Sequence, residues 1–180
     1  MYPDTAAESD LADLVYVLVL ARRGHSRLRR RSFLAAQLGI AVSSLNDWEA
    51  GRDAPTFLNL IRWASVFDLR VAICDERGDR SLPAPTAGVG SAWESREVGL
   101  HEAGLIVGSL CDVRRERRIT QHELGQRLDV TDATVLRWEH ARRHPRMLTL
   151  LRWARELGCV VQLRSMNPPW RLETSPQRGV

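Results

Sequence analysis

Sliding the chain against itself by 90 positions brings two long stretches into register without a gap. Leu34, Leu38, Trp48, Glu49, Arg52, Pro55, Leu58, Leu60, Arg62, Trp63 and Ala64 recur as Leu124, Leu128, Trp138, Glu139, Arg142, Pro145, Leu148, Leu150, Arg152, Trp153 and Ala154. The chain has six Trp, and two pairs of them fall in this register. Whatever one half folds into, the other half must fold into as well. At 180 residues the halves are small, so each needs efficient packing or a partner.

Within the second half, Leu105, Ile106, Leu110 and Val113 share one helical face and predict a helix over about 100–117. Thr120 and Glu123 form a capping-box pair that starts a helix over 121–128. Asp129 and Val130 make a turn, and Thr131 caps a third helix that ends near Glu139. Its period turns Val135 and Trp138 inward and sets Thr134 and Arg137 on another face. A basic loop with Pro145 leads to a fourth helix over 147–157, with Leu150, Trp153, Ala154 and Leu157 in one stripe and Gly158 as its stop. The first half predicts helices over about 10–22, 32–38, 42–50 and 57–67. Arg30 stands where Thr120 caps, so that helix start is less defined. Alternating apolar residues then predict short strands over 69–74 and 159–164. Neither strand can satisfy its own backbone, so they pair within one chain or between two.

Gly78, Pro83, Pro85, Gly88 and Gly90 mark a linker, and the ends are polar or Pro-rich. The expected organisation is a first domain over 10–76, a linker over 77–94, a second domain over 95–166 and a tail over 167–180.

All 26 basic side chains other than His are Arg, a planar guanidinium suited to phosphate and guanine. Residues 1–78 hold ten Arg against ten acids; residues 96–164 hold thirteen against nine. Electrostatics therefore favours the second half for nucleic acid. Cys74, Cys111 and Cys159 have no metal-ligand or disulfide spacing, nor do the five His suggest a metal site. The apolar run at 14–20 is too short to span a bilayer, and acids precede it where a secretory signal needs positive charge. The expected location is the cytoplasm, at the nucleoid. There is no phosphate-binding loop, dinucleotide fingerprint or nucleophile motif, so neither an enzyme nor a cofactor is expected.

The stretch Ile119-Thr-Gln-His-Glu-Leu-Gly-Gln-Arg-Leu-Asp-Val-Thr-Asp-Ala-Thr-Val-Leu-Arg-Trp-Glu139, continuing through Arg142, Pro145 and Leu150 to Gly158, resembles the lambda-repressor-like helix-turn-helix family, the Cro/C1 or XRE type. Phe33-Leu-Ala-Ala-Gln-Leu-Gly-Ile-Ala-Val-Ser-Ser-Leu-Asn-Asp-Trp-Glu49, then Gly51, Pro55 and Leu60, resembles it a second time. The resemblance implies a mainly α fold of two tandem helix-turn-helix domains, here each followed by a short β-strand where the family has a fifth helix. It implies sequence-specific binding of double-stranded DNA, usually in transcriptional control and usually as a twofold assembly. A homodimer and an intramolecular pseudo-dimer both satisfy that. A terminal strand that helps twofold pairing is a feature of the branch holding some toxin-neutralising antitoxins, so a protein partner such as a toxin is the alternative to a plain repressor.

By the same resemblance Gln121 matches a phosphate-contacting position, and Asp132, Ala133 and Arg137 match base-reading positions. In the first unit Arg31 takes the Gln position, and Val42, Ser43 and Asp47 take the reading positions. Chemically, Arg137 can fork onto guanine O6 and N7, Thr134 can touch a base edge or thymine methyl, and Ala133 offers only an apolar contact. Asp132 could accept from cytosine but suits the helix N-terminus better. Thr131, Arg142, Arg143 and Arg52 join Gln121 and Arg31 as backbone-binding candidates, and the Arg at 114, 115, 117 and 118 divide between phosphate and solvent. Val42, Ser43 and Asp47 are a poor polar set. Either the two units read different half-sites or the first is a dimerisation or partner surface. Trp48, Trp63, Trp138 and Trp153 are expected in the core. Glu49 and Glu139, unfavourably placed for the helix dipole, are expected to pair with Arg52 and Arg142.

Overall fold

The computed structural model describes residues 5–75 and 96–166. The linker assigned to 77–94 and the tail assigned to 167–180 lie outside the described residues. In chain order come α1 (Thr5–Gly24), α2 (Arg31–Leu38), α3 (Val42–Glu49), α4 (Phe57–Ser65) and β1 (Leu69–Asp75), then α5 (Arg96–Glu116), α6 (Gln121–Leu128), α7 (Asp132–Glu139), α8 (Met147–Glu156) and β2 (Cys159–Ser165).

Each unit thus has four helices and a strand, as the periodicities predict. The largest departure is at the start of α1, which begins about a turn before residue 10. Ala7 and Leu11 continue the buried stripe of Leu14, Val15, Leu18 and Val19, so burial carries the helix back over the acidic stretch. α5 likewise begins before residue 100, where Gly99 and Ala103 are buried. α6 has the full capping box, with Thr120 and Glu123 bonding each other's backbone N–H, whereas α2 has no side-chain cap at Arg30.

The first helices also belong to the repeat, but at a shift of 92 rather than 90. At that shift Leu11, Leu14, Val15, Leu18, Val19 and Arg22 meet Ala103, Ile106, Val107, Leu110, Cys111 and Arg114, and every one of these is buried. The two extra residues of the first unit lie in the connection between α1 and α2, a surface turn that absorbs them without disturbing the core.

β1 and β2 pair with each other, antiparallel, from Leu69 opposite Ser165 to Asp75 opposite Cys159. The central pair is Ala72 with Gln162, which are counterparts in the 90-residue repeat. The ladder is therefore symmetric about a pseudo-twofold axis through that pair. Helix packing obeys the same symmetry: α1 packs on α8 and its counterpart α5 packs on α4. The buried side chains of both repeats form one continuous cluster. At the seam, Asp10 of α1 accepts from Arg155 of α8 at 2.6 Å, and the rings of Phe57 and His144 meet edge-on at 6.3 Å.

The seam is not symmetric in charge. Glu102 on α5 is the counterpart of Asp10, but Ser65 stands where Arg155 would answer it. Glu102 is buried and its Oε1 has no hydrogen-bond partner. Burial pushes its carboxyl up from 4.5 to about 7, opposed only in part by the charge of Arg70 and the backbone at Val71. The native state keeps this proton after the unfolded chain has lost it. The contribution of Glu102 to stability therefore falls as pH rises from about 4.5 to about 7 and stays unfavourable above that. Glu102→Gln is expected to unfold at higher temperature than the parent at pH 8, with the gain vanishing near pH 4.5; thermal melts across that range check it.

Candidate nucleic-acid interface

In the second unit α6, the turn and α7 form a compact step. Asp129 takes a left-handed conformation (φ 56°) that stops α6, and Val130 N–H returns to Gly125 O at 2.9 Å. Thr131 then caps α7, its hydroxyl accepting from Thr134 N–H at 3.3 Å. Val135 and Trp138 bury the inner face of α7, and Trp138 lies 5.8 Å from Trp153 of α8. The first unit repeats this with Leu45, Trp48 and the Trp48–Trp63 pair at 6.1 Å. All four Trp are core residues, as expected.

The outward face of α7 carries Asp132, Ala133, Leu136, Arg137 and His140, all exposed. Asp132 Oδ1 accepts from Ala133 N–H at 2.7 Å, so its charge sits on the helix N-terminus. Thr134 is half-buried, with its hydroxyl 2.9 Å from that of Thr131. Arg137 has no ion-pair partner among the described residues, and its carbonyl accepts from the backbone N–H groups of Arg142 (2.9 Å) and Arg143 (3.3 Å). Ala133, Leu136, Arg137, His140 and Arg142 line an open cleft of about 330 Å³. Leu136 and His140 were missed in the sequence. Leu136 follows Val135, which marks the inner face, yet its side chain is 42% exposed, and an apolar residue held outward on a basic face is the available signal.

α3 presents Val42 and Ser43, both exposed, but Asp47 is half-buried and paired with Arg52, whose Nε donates at 2.8 Å. Arg31, Asn46, Glu49, Ala50 and Arg52 line a cleft of about 310 Å³ beside it.

The expected pairs Glu49–Arg52 and Glu139–Arg142 do not form. Glu139 lies four residues after Val135, and Glu49 four after Leu45, so both carboxylates share the buried face and turn toward the first helix. Arg114 of α5 donates to Glu139 through Nε (2.6 Å) and Nη2 (2.9 Å), while its Nη1 donates to Ile119 O at 2.6 Å. Gln121 Nε2, at the start of α6, donates to the same carboxylate at 2.7 Å. In the first unit Arg22 donates to Glu49 at 2.7 and 3.0 Å and also to Arg29 O, and Arg31 Nε donates to Glu49 at 2.6 Å. Arg114 is thus neither a phosphate ligand nor a solvated charge; its place on the apolar stripe of α5 is the sign of that. Gln121 and Arg31 keep further N–H groups beyond the one each gives to the clamp.

A family model described as Helix-turn-helix matches residues 21–73 and again residues 112–160, together more than half of the chain. The chain belongs to that family. It is a DNA-binding regulator of the lambda-repressor-like, XRE type, with its helix-turn-helix domain present twice in tandem. No curated protein and no solved structure matches the chain. Among the described residues no helix is long and apolar enough to cross a membrane.

Burial opposes ionisation of Glu139, but the hydrogen bonds from Arg114 and Gln121 and the charge of Arg114 outweigh it and hold the carboxyl below its usual range. The stabilisation is complete above the unfolded carboxyl pKa and is lost as pH falls through the lowered native value. Glu139→Gln leaves the Arg114 guanidinium buried without its counter-charge, which costs about 3–5 kcal/mol at neutral pH. Denaturant titration is expected to give that loss, and the variant should show a weaker dependence of stability on pH in the acid range than the parent does.

Proposed function

We propose that the chain is a repressor that covers a two-part operator as a single-chain pseudo-dimer, with half-sites of different sequence. The observation that carries this is the strand ladder centred on Ala72 and Gln162, which relates the two units as a twofold relates the subunits of a dimer. Two recognition helices so related suit half-sites about one helical turn, roughly 34 Å, apart.

On this reading α7 is the stronger reader. Arg137 takes a guanine through O6 and N7, and Leu136 and Ala133 give it an apolar neighbour suited to a thymine methyl. Thr134 supports the helix start through Thr131 as much as it reads, and Asp132 serves the helix N-terminus. Gln121, Thr131, Arg142 and Arg143 take phosphates around it. α3 reads its half-site with Val42 and Ser43, whereas Asp47 is occupied by Arg52; Arg31 and Arg52 hold the backbone there. Repression follows from occupancy of a promoter and needs no further chemistry. An antitoxin that represses its own promoter shares the paired terminal strands and differs in holding a toxin.

Selection of binding sequences from random duplexes with the purified protein, followed by the mass of the complex, tests this. The two-part site covered by one chain is expected to be non-palindromic. Arg137→Ala should cost about 1–3 kcal/mol on that site and relax the preference at one base pair. Arg142→Ala should weaken all duplexes alike and lower the salt slope by about one. Equal affinity for every duplex would overturn sequence reading, and identical inverted half-sites within the two-part site covered by one chain would overturn the unequal half-sites.

A further inference from the structure

The outer face of α1 carries an apolar stripe that its counterpart in the second unit does not. Tyr16, Val17 and Leu20 are 62, 42 and 47% exposed. They are spaced i, i+1 and i+4 on one side of the helix, opposite the face that packs on α8. At the shift of 92 their counterparts on α5 are Gly108, Ser109 and Asp112. The stripe is therefore not something the fold requires; one copy of the helix dispenses with it.

The charges that flank the stripe say what fits it. Asp13 lies one turn before Tyr16 and Arg23 one turn after Leu20, both exposed and both without an ion-pair partner among the described residues. The pattern acid, apolar, base reads as its own complement when a second identical helix runs antiparallel to it. With Tyr16 opposite Leu20 of the other copy, Asp13 falls opposite Arg23 of that copy, and Arg23 opposite its Asp13. Val17 of both copies then lies close to the axis. A closed twofold contact requires this self-complementarity of one patch. A partner with a wholly basic or wholly acidic groove would meet a like charge at one end of the stripe.

We propose that the outer face of α1 is an interface for a second copy of this chain, pairing α1 with α1 antiparallel around Tyr16, Val17 and Leu20. The pseudo-dimer within one chain is then joined to another through its first unit, bringing four recognition helices into one assembly. The patch is small for a protein interface, so the association is weak and concentration-dependent.

Sedimentation equilibrium of the full chain without DNA, over a range of concentrations, tests this separately from operator reading. Parent protein is expected to pass from one chain to two as concentration rises. Val17→Glu should stay at one chain throughout. Asp13→Arg and Arg23→Asp should each weaken the dimer about tenfold or more. The two reversals combined in one chain should restore it, because each then faces its opposite across the axis. All these positions are exposed, so thermal melts should match the parent. A parent that stays monomeric at every concentration, as it would were the stripe covered by the chain's own tail or reserved for a different protein, overturns the proposal. So does a dimer that Val17→Glu leaves intact, or a double reversal no better than the singles.

Discussion

One buried carboxylate per unit holds together the three parts that a helix-turn-helix must keep in fixed relation. Glu139 grows from the end of the recognition helix, yet it is bound by the last turn of α5 through Arg114 and by the first residue of α6 through Gln121. The same guanidinium closes the connection between those helices by donating to Ile119 O. Both side chains are nearly out of solvent, at 9% and 3% exposure. Their attraction must therefore offset a desolvation cost that apolar residues would not incur, and what the pair supplies in return is a fixed direction. Trp138 against Trp153 sets how deep α7 sits, and the carboxylate sets where its last turn points. Without it, the outward face bearing Arg137 would have depth but no orientation.

The same clamp explains how far the sequence could be read. Helices α6 and α7, their caps and the alternating strands were legible because local chemistry decides them: a capping box, a Thr cap, a period of two. The four core Trp were legible from the apolar stripe. The partners of Glu49 and Glu139 were not, because they lie 27 and 25 residues away on a helix that repeats at 92 rather than 90. The ungapped match hides Arg22 behind Asp112 and never sets it against Arg114. Reading Glu139 from its own helix end offered only Arg142, three residues on and in the wrong direction. Leu136 was missed for a related reason: periodicity locates the inward residues, while the outward ones are known only once the neighbouring helices are in place.

The turn residues show that the two copies have drifted under equal backbone demands. A left-handed conformation recurs at three matching places in the two units, and the second unit has a further one at Arg118. The matching places are held by Gly39 and Asp129, by Gly51 and Ala141, and by Asp68 and Gly158. In each pair one copy uses the residue that adopts this conformation freely, and the other tolerates a residue that resists it. Geometry is held in common, therefore, even where the residue best suited to it is not.

That freedom follows from joining the copies. In a homodimer every substitution appears twice, so a change that spoils one recognition helix spoils both, and the operator must stay symmetric. In this chain the strand ladder and the α1–α8 and α5–α4 contacts keep the twofold, while each recognition helix can change by itself. Arg137 on α7 and its counterpart Asp47 on α3 are the outcome: one is a cation without a protein partner among the described residues, the other a carboxylate held by Arg52. A substitution of opposite charge at a DNA-facing position would be ruinous in both halves of a symmetric dimer. On the proposed reading it is tolerable here because the second unit, which also carries the excess of Arg, supplies most of the attraction to DNA while the first supplies position.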